Sequence, residues 1–272
     1  MRSALLLLWH SLKRMRALLL SAVILLVGFQ VVLILVAGSV QRSNTFSSMN
    51  SMIPAFAREM LGPSIAGLMS YSGLVCLGYF HLVVIGSLVA LCISLGTTPA
   101  GEIESGFMDL VLSRPVARHW VITRAIALVV LSTVGILSLM MLGTWGGLVM
   151  FAPAKAVWPT PRLVLSLAGN LGLLMLSWCA ISMSIACGSR RRSVGSAIAG
   201  VLAVGTFLLD YVARLWKVAE PFGWLSPFRY FSPFEMLMGA RVPVRNLVVL
   251  AGVAVVGFAV SYVLFSRRDI TH

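Results

Sequence analysis

Gly101-Glu102-Ile103-Glu104-Ser105-Gly106-Phe107-Met108-Asp109-Leu110-Val111-Leu112-Ser113-Arg114-Pro115-Val116-Ala117-Arg118 is a charged island between two long apolar runs. Glu102, Glu104 and Asp109, three of only eight acidic residues in the chain, fall within eight positions of one another. Its residue types are compatible with a helix. A charged helix set between two membrane spans presents polar groups to water, and that makes it a docking surface for another protein.

The flanking runs decide the class. Of 272 residues, 59% are hydrophobic and 11% are charged, whereas soluble domains carry roughly 25% charged residues. A soluble core cannot hide this much apolar surface, so the solvent is lipid, and at about 20 residues per spanning helix several spans fit. The net charge of +13 does not indicate nucleic acid, which requires a contiguous basic patch. Here the basic residues stand at the ends of apolar runs, where they set topology and meet anionic headgroups. Cys76, Cys92, Cys179 and Cys187 all lie within apolar runs without a Cys-x-x-Cys pair, so they read as small buried hydrophobes rather than a disulfide framework or zinc site.

Working outward, the expected architecture is an all-α, polytopic membrane protein with six transmembrane helices in a single domain over 1–272. Residues 1–16 read as an amphipathic interfacial helix, with Leu5, Leu8, Trp9 and Leu12 at helical spacing and His10, Lys13 and Arg14 on the polar side. The spans are expected at 17–40, 63–95, 125–151, 163–187, 194–215 and 246–265. The first is longer than the roughly 7–15 apolar residues of a signal-peptide core and reads as a retained anchor. Residues 41–62 read as an exposed polar loop with a short helical piece. The second run exceeds one membrane thickness and must tilt or bend, with Gly73, Gly78 and Gly86 as the places for a bend. Residues 98–118 form the docking helix. Residues 217–245 are interrupted by Pro221, Pro227, Pro233 and Pro243 and carry Phe222, Trp224, Phe228, Tyr230, Phe231 and Phe234. That suits two short interfacial or re-entrant helices at a lipid boundary.

Six spans put both termini on one side. That side holds Arg2, Lys13, Arg14, Arg16, Arg114, Arg118, Arg124, Arg190, Arg191, Arg192, Arg267 and Arg268, twelve of the 21 basic residues. The positive-inside rule makes it the cytoplasm, and the charged island lies there too.

The chemistry present is sparse. Lys13, Lys155 and Lys217 are the only lysines and none follows glycine, so no Walker A loop can cradle ATP phosphates. Glu102 and Glu104 are two positions apart, on different helix faces, and are expected in water as a solvated docking face rather than as paired catalytic carboxylates. Ser113, Arg114 and His119 make no triad. His81 lies inside the second span, where an ionisable group is either a pathway residue or a neutral histidine bonded across helices. The 14 methionines are loosely spaced and read as apolar filler rather than a metal path. Asp210 and Arg214, one turn apart near the outer end of the fifth span, can pair or line a substrate exit. Gly195, Gly200 and Gly205 permit close helix approach in that span.

Glu102-x-Glu104-x-Gly106, followed by Leu110-Val111-Leu112-Ser113-Arg114-Pro115-Val116-Ala117-Arg118 and a basic residue at Arg124, resembles the cytoplasmic loop of ABC-2-type permeases, the membrane subunits of bacterial ABC exporters. The chain departs from the pattern with Phe107 where threonine is usual and Arg124 where lysine is usual. The resemblance extends over the N-terminal amphipathic piece, the six spans, the segment around Leu225-Ser226-Pro227-Phe228 and the terminal Arg267-Arg268-Asp269.

It implies a coupling helix in which Glu102, Glu104, Asp109, Arg114 and Arg118 dock on a separate ABC ATP-binding subunit. It also implies a complex of two permease chains, identical or different, with two ATPase chains in the bacterial cytoplasmic (inner) membrane. ATP and magnesium would be carried by the partner, and this chain would hold no cofactor and not be an enzyme by itself. Two other classes stay open. A membrane-embedded enzyme, such as a lipid-modifying transferase, needs polar groups converging at membrane depth, where only His81 is a candidate. A stand-alone channel or scaffold has no need of a charged docking helix.

Overall fold

The computed structural model describes residues 2–43, 70–106, 118–154, 156–189, 191–239 and 243–267. Among them there is helix and no strand. Six helical stretches are long and apolar enough to cross a membrane, as six-span patterning requires of a multi-pass membrane protein. In chain order the helices are α1 (Arg2–Arg42), α2 (Tyr71–Cys76), α3 (Leu82–Gly96), α4 (Thr98–Glu104), α5 (Arg118–Phe151), α6 (Pro161–Gly188), α7 (Arg192–Leu215), α8 (Pro233–Leu237) and α9 (Val244–Arg267). Short 3₁₀ turns fill Leu77–Tyr79, Glu220–Leu225 and Pro227–Tyr230. The expected loop over 41–62 lies almost entirely outside the described residues.

α1 runs without a break across the boundary expected between residues 16 and 17. At 1.5 Å per residue its 41 residues extend about 60 Å, twice the roughly 30 Å of a hydrocarbon core. It packs on α5 where Gly143 and Gly147 stand four residues apart. A Cβ at Gly143 would lie 2.8 Å from Val27 Cγ1, and one at Gly147 would lie 2.7 Å from Ile34 Cδ1. Lipid gives no hydrophobic drive between helices, so close contact over small residues is what holds spans together.

α6 is the most buried of the six spans, and α1 and α9 are the least. α6 and α9 run parallel, as their bonds show. Ser177 Oγ donates to Leu250 O at 2.9 Å, and Ser184 Oγ donates to Gly257 O at 2.7 Å. Both pairs are 73 residues apart, so the two helices keep register over two turns. A Cβ at Gly257 would meet Ala180 Cβ at 2.8 Å and the Ala180 carbonyl carbon at 3.1 Å. The glycines singled out in the sequence behave differently. Gly195 touches Ala186 and Ser189, but Gly200 and Gly205 have nothing within 4 Å of a Cβ. Within the chain, only the first of the three is a packing residue among the described residues, and the second and third face open space on α7.

The overlong second run bends, and it does so beside Gly78. α2 tightens into the 3₁₀ turn Leu77–Tyr79, and α3 starts afresh at Leu82, capped by His81 Nδ1 accepting the Val83 N–H at 3.3 Å. Gly86 lies within α3 and makes no break. A break inside a span frees backbone groups that lipid cannot satisfy. Gln30, fully buried on α1, answers for one of them: its Nε2 donates to Val75 O at 2.8 Å. The Gln30 amide lies against Gly78 so closely that a Cβ there would overlap it. Tyr79 shares a 2.8 Å hydroxyl bond with Thr144 on α5, and the His81 ring lies 5.1 Å from Phe29.

The remaining spans fall near their expected bounds, and α5 begins earlier, at Arg118. Between α7 and α9 stand two 3₁₀ turns and α8 in place of a further span. Phe228 of the second turn packs against Trp178 at 5.4 Å and edge-on to Phe207 at 5.5 Å. Phe234 of α8 meets Phe80 at 5.0 Å.

The α6–α9 contact predicts a contrast within one helix. Gly257→Leu forces the backbones apart and should cost about 1–3 kcal/mol, whereas Gly252→Leu, which meets nothing within 4 Å among the described residues, should leave stability nearly unchanged. Thermal unfolding of both variants in the same detergent measures the difference. Equal behaviour would contradict the close approach.

Candidate functional site at the α3–α4 junction

The charged island begins where α3 ends. Gly96 presses on α6, where a Cβ would lie 2.8 Å from Cys179 O and 2.8 Å from Ser182 Cβ. Thr97 then turns the chain, its hydroxyl donating to Ile93 O at 2.8 Å. Pro99 sits in the first turn of α4, a position where its missing N–H costs nothing. α4 is short. Gly106, at φ 69°, takes the left-handed conformation that ends helices and that other residues resist, and its N–H closes on Ile103 O at 3.0 Å. The single docking helix expected over 98–118 is therefore corrected: α4 stops at Glu104. Asp109 and Arg114 lie outside the described residues. Arg118 opens α5, and its side chain also lies outside them.

Glu102 departs from expectation. It is 6% exposed and forms an ion pair with Arg124 on α5. A carboxylate removed from water needs a partner of opposite charge, and Arg124 faces it from 22 positions downstream, itself largely buried. Glu102 therefore belongs to the interior of the junction and not to a solvated face.

Glu104 is exposed, and its Oε2 accepts the backbone N–H of Arg192 at 3.0 Å. Arg192 is the first residue of α7, so the carboxylate meets the positive end of a helix dipole. The Arg192 side chain turns back over α4. Its Nη2 donates to Ser94 O at 3.2 Å, and its Nε points to Thr97 Oγ1 at 3.5 Å. A guanidinium on the last carbonyls of α3 satisfies groups that a helix end leaves unpaired. The Arg192 Cδ passes over Gly101, where a Cβ would lie only 2.8 Å away. Thr98 Oγ1 lies 3.9 Å from the Met15 sulfur of α1. A helix of seven residues is thus tied to α1, α3, α5 and α7 at once.

In the sequence Arg192 stands out only as a topology charge, and its role as a clamp emerges from the fold. The available signals were a tight basic turn opening a span and a glycine at 101 in an otherwise side-chain-rich helix.

The other candidate residues lie elsewhere. His81 caps α3 at the opposite end from α4. Asp210 and Arg214 pair at 2.9 Å near the far end of α7, and Asp210 Oδ1 is buried without a hydrogen-bond partner among the described residues. In the junction Glu102 is paired with a guanidinium, and exposed Glu104 meets a helix terminus. No family model, curated protein or solved structure matches this chain.

The buried pair predicts a thermodynamic cycle. Glu102→Gln or Arg124→Gln alone leaves one charge uncompensated and should cost about 3–5 kcal/mol. The double variant should recover most of that loss. Unfolding in detergent reads the coupling, and additive losses would contradict the ion pair.

Proposed function

We propose that this chain is the permease subunit of an ABC exporter, forming the substrate pathway and driven by a separate ATP-binding subunit. The observation that carries the reading is α4 itself: a charged element between two spans, in a motif resembling the ABC-2 coupling loop, tied by Glu102, Glu104 and Arg192 to α5, α7 and α3. A partner pushing on α4 displaces those spans with it. ATP can bias the permease only through contacts that differ between its two states. With Glu102 turned inward, the outward grip falls to Glu104 and to the stretch after Gly106 that includes Asp109, Arg114 and Arg118. ATP and magnesium belong to the partner subunit.

The same reading assigns the surroundings. Both termini and α4 lie on the cytoplasmic side of the bacterial inner membrane, and two permease chains, alike or different, join two ATPase chains. The first turns of α1 lie at the interface. The 217–245 segment re-enters the bilayer from the other side, a placement supported by Phe228 reaching Phe207, about 12 Å inside the end of α7.

Expressed with its genomic neighbours, the tagged chain should copurify with an ATP-binding subunit. Glu104→Arg should lower that complex's ATPase rate by about tenfold, within the usual range of coupling energies. Capture of no ATP-binding subunit, or a rate unchanged by Glu104→Arg, would remove the exporter reading in favour of a membrane enzyme or scaffold.

A further inference from the structure

The end of α7 remote from α4 carries a feature that energy coupling does not use. A cavity of about 550 Å³ is lined by Ala213, Arg214, Leu215, Lys217, Glu220 and Arg229. Among the described residues three cations line it against one carboxylate, and Asp210 is already bonded to Arg214. Among the described residues, neither Lys217 nor Arg229 has an ion-pair partner. Arg229 is held in place, its guanidinium resting on Gly223 where a side chain would collide with it. Trp216, Phe222 and Trp224, in the same stretch of chain, are exposed, and such residue types seat at the headgroup level of a bilayer.

A second cavity lies nearer the middle of α7. About 270 Å³ of apolar space lies between α3 and α7, bounded by Leu82, Gly86, Gly200, Val204 and Phe207, with Phe228 at its end. Phe228 and Arg229 are consecutive, so one turn of chain borders both cavities. On α7, Gly200, Ala203, Val204 and Phe207 follow helical spacing, and Arg214, seven residues beyond Phe207, returns to nearly the same face. Phe207 is about 10 Å and Gly200 about 21 Å from Arg214 along the axis. One leaflet of hydrocarbon is about 15 Å deep, half of a roughly 30 Å core. A chain hanging from Arg214 therefore reaches into the apolar cleft.

We propose that α7, α3 and the Glu220–Tyr230 turns form a binding site for an anionic phospholipid. The phosphate sits among Lys217, Arg229 and Arg214, and an acyl chain lies along α7 in the cleft kept open by Gly86 and Gly200. The site is independent of whether an ATPase drives the chain. It also accounts for basic residues at a membrane face where the positive-inside rule disfavours them.

The test is native mass spectrometry of the full chain in neutral detergent, titrated with phosphatidylglycerol or with phosphatidylcholine of the same chains. Phosphatidylglycerol should be retained at least tenfold more strongly. Lys217→Gln with Arg229→Gln should weaken it by about 25-fold, from the attraction usual for two basic residues near anionic lipid, while Arg229→Lys keeps it. Gly86→Leu with Gly200→Leu, which meets no neighbouring atom within 4 Å, should close the cleft and reduce phosphatidylglycerol retention as well. Equal retention of the two lipids, insensitivity to either double variant, or full displacement by equimolar inorganic phosphate would overturn the proposal. A wild-type measurement stands beside the variants: chain-brominated phosphatidylglycerol should quench tryptophan fluorescence in vesicles more than brominated phosphatidylcholine does, and equal quenching would contradict the site.

Discussion

The buried ion pair between Glu102 and Arg124 is the interaction on which the junction depends. It takes a charge from a short helix that would otherwise hang in water and fixes it to the start of a long span. Arg192 completes the arrangement from the other side, donating backbone N–H to Glu104 and guanidinium to the end of α3. None of these contacts is strong in water. In a partly dry junction each unsatisfied partner is costly, so the elements move together or the junction opens. The proposed coupling role rests on that property.

The same economy of polar groups recurs deeper in the chain. Gln30 meets the carbonyl freed where the second apolar run breaks, and Gly78 is the residue small enough to let it approach. Ser177 and Ser184, on either side of Ala180, reach across to carbonyls of α9 along the Gly257–Ala180 contact. Small residues let helices approach, and one hydroxyl or amide then spans the gap.

The all-helical class and the six spans were legible because lipid imposes them: apolar runs of membrane length, separated by basic or proline-rich turns, leave few alternatives. The bend of the second run near Gly78 and the pairing of Asp210 with Arg214 were legible too, since both rest on local spacing. The burial of Glu102 was not, because its partner stands 22 positions away on another helix and nothing in either neighbourhood announces the match. Which glycines are covered within the chain was hidden for a related reason. Gly200 and Gly205 share a span with small neighbours yet face open space, whereas Gly143 and Gly147, four apart, carry the α1–α5 contact. Spacing marks which glycines share a face, but the neighbouring helix decides which face is covered. The early stop of α4 turned on the positive φ of Gly106, a freedom that glycine has everywhere and uses only where the chain reverses.

The central claim is that another protein acts on this chain through α4. Site-specific photocrosslinking tests it directly, with a photoreactive residue placed at exposed Ser105 and, as a control, at exposed Val212 on the far end of α7. In cells expressing the chain with its genomic neighbours, the account predicts an adduct with an ATP-binding subunit from position 105 and none from position 212. Absence of that adduct at 105, or equal yield at both positions, would contradict it.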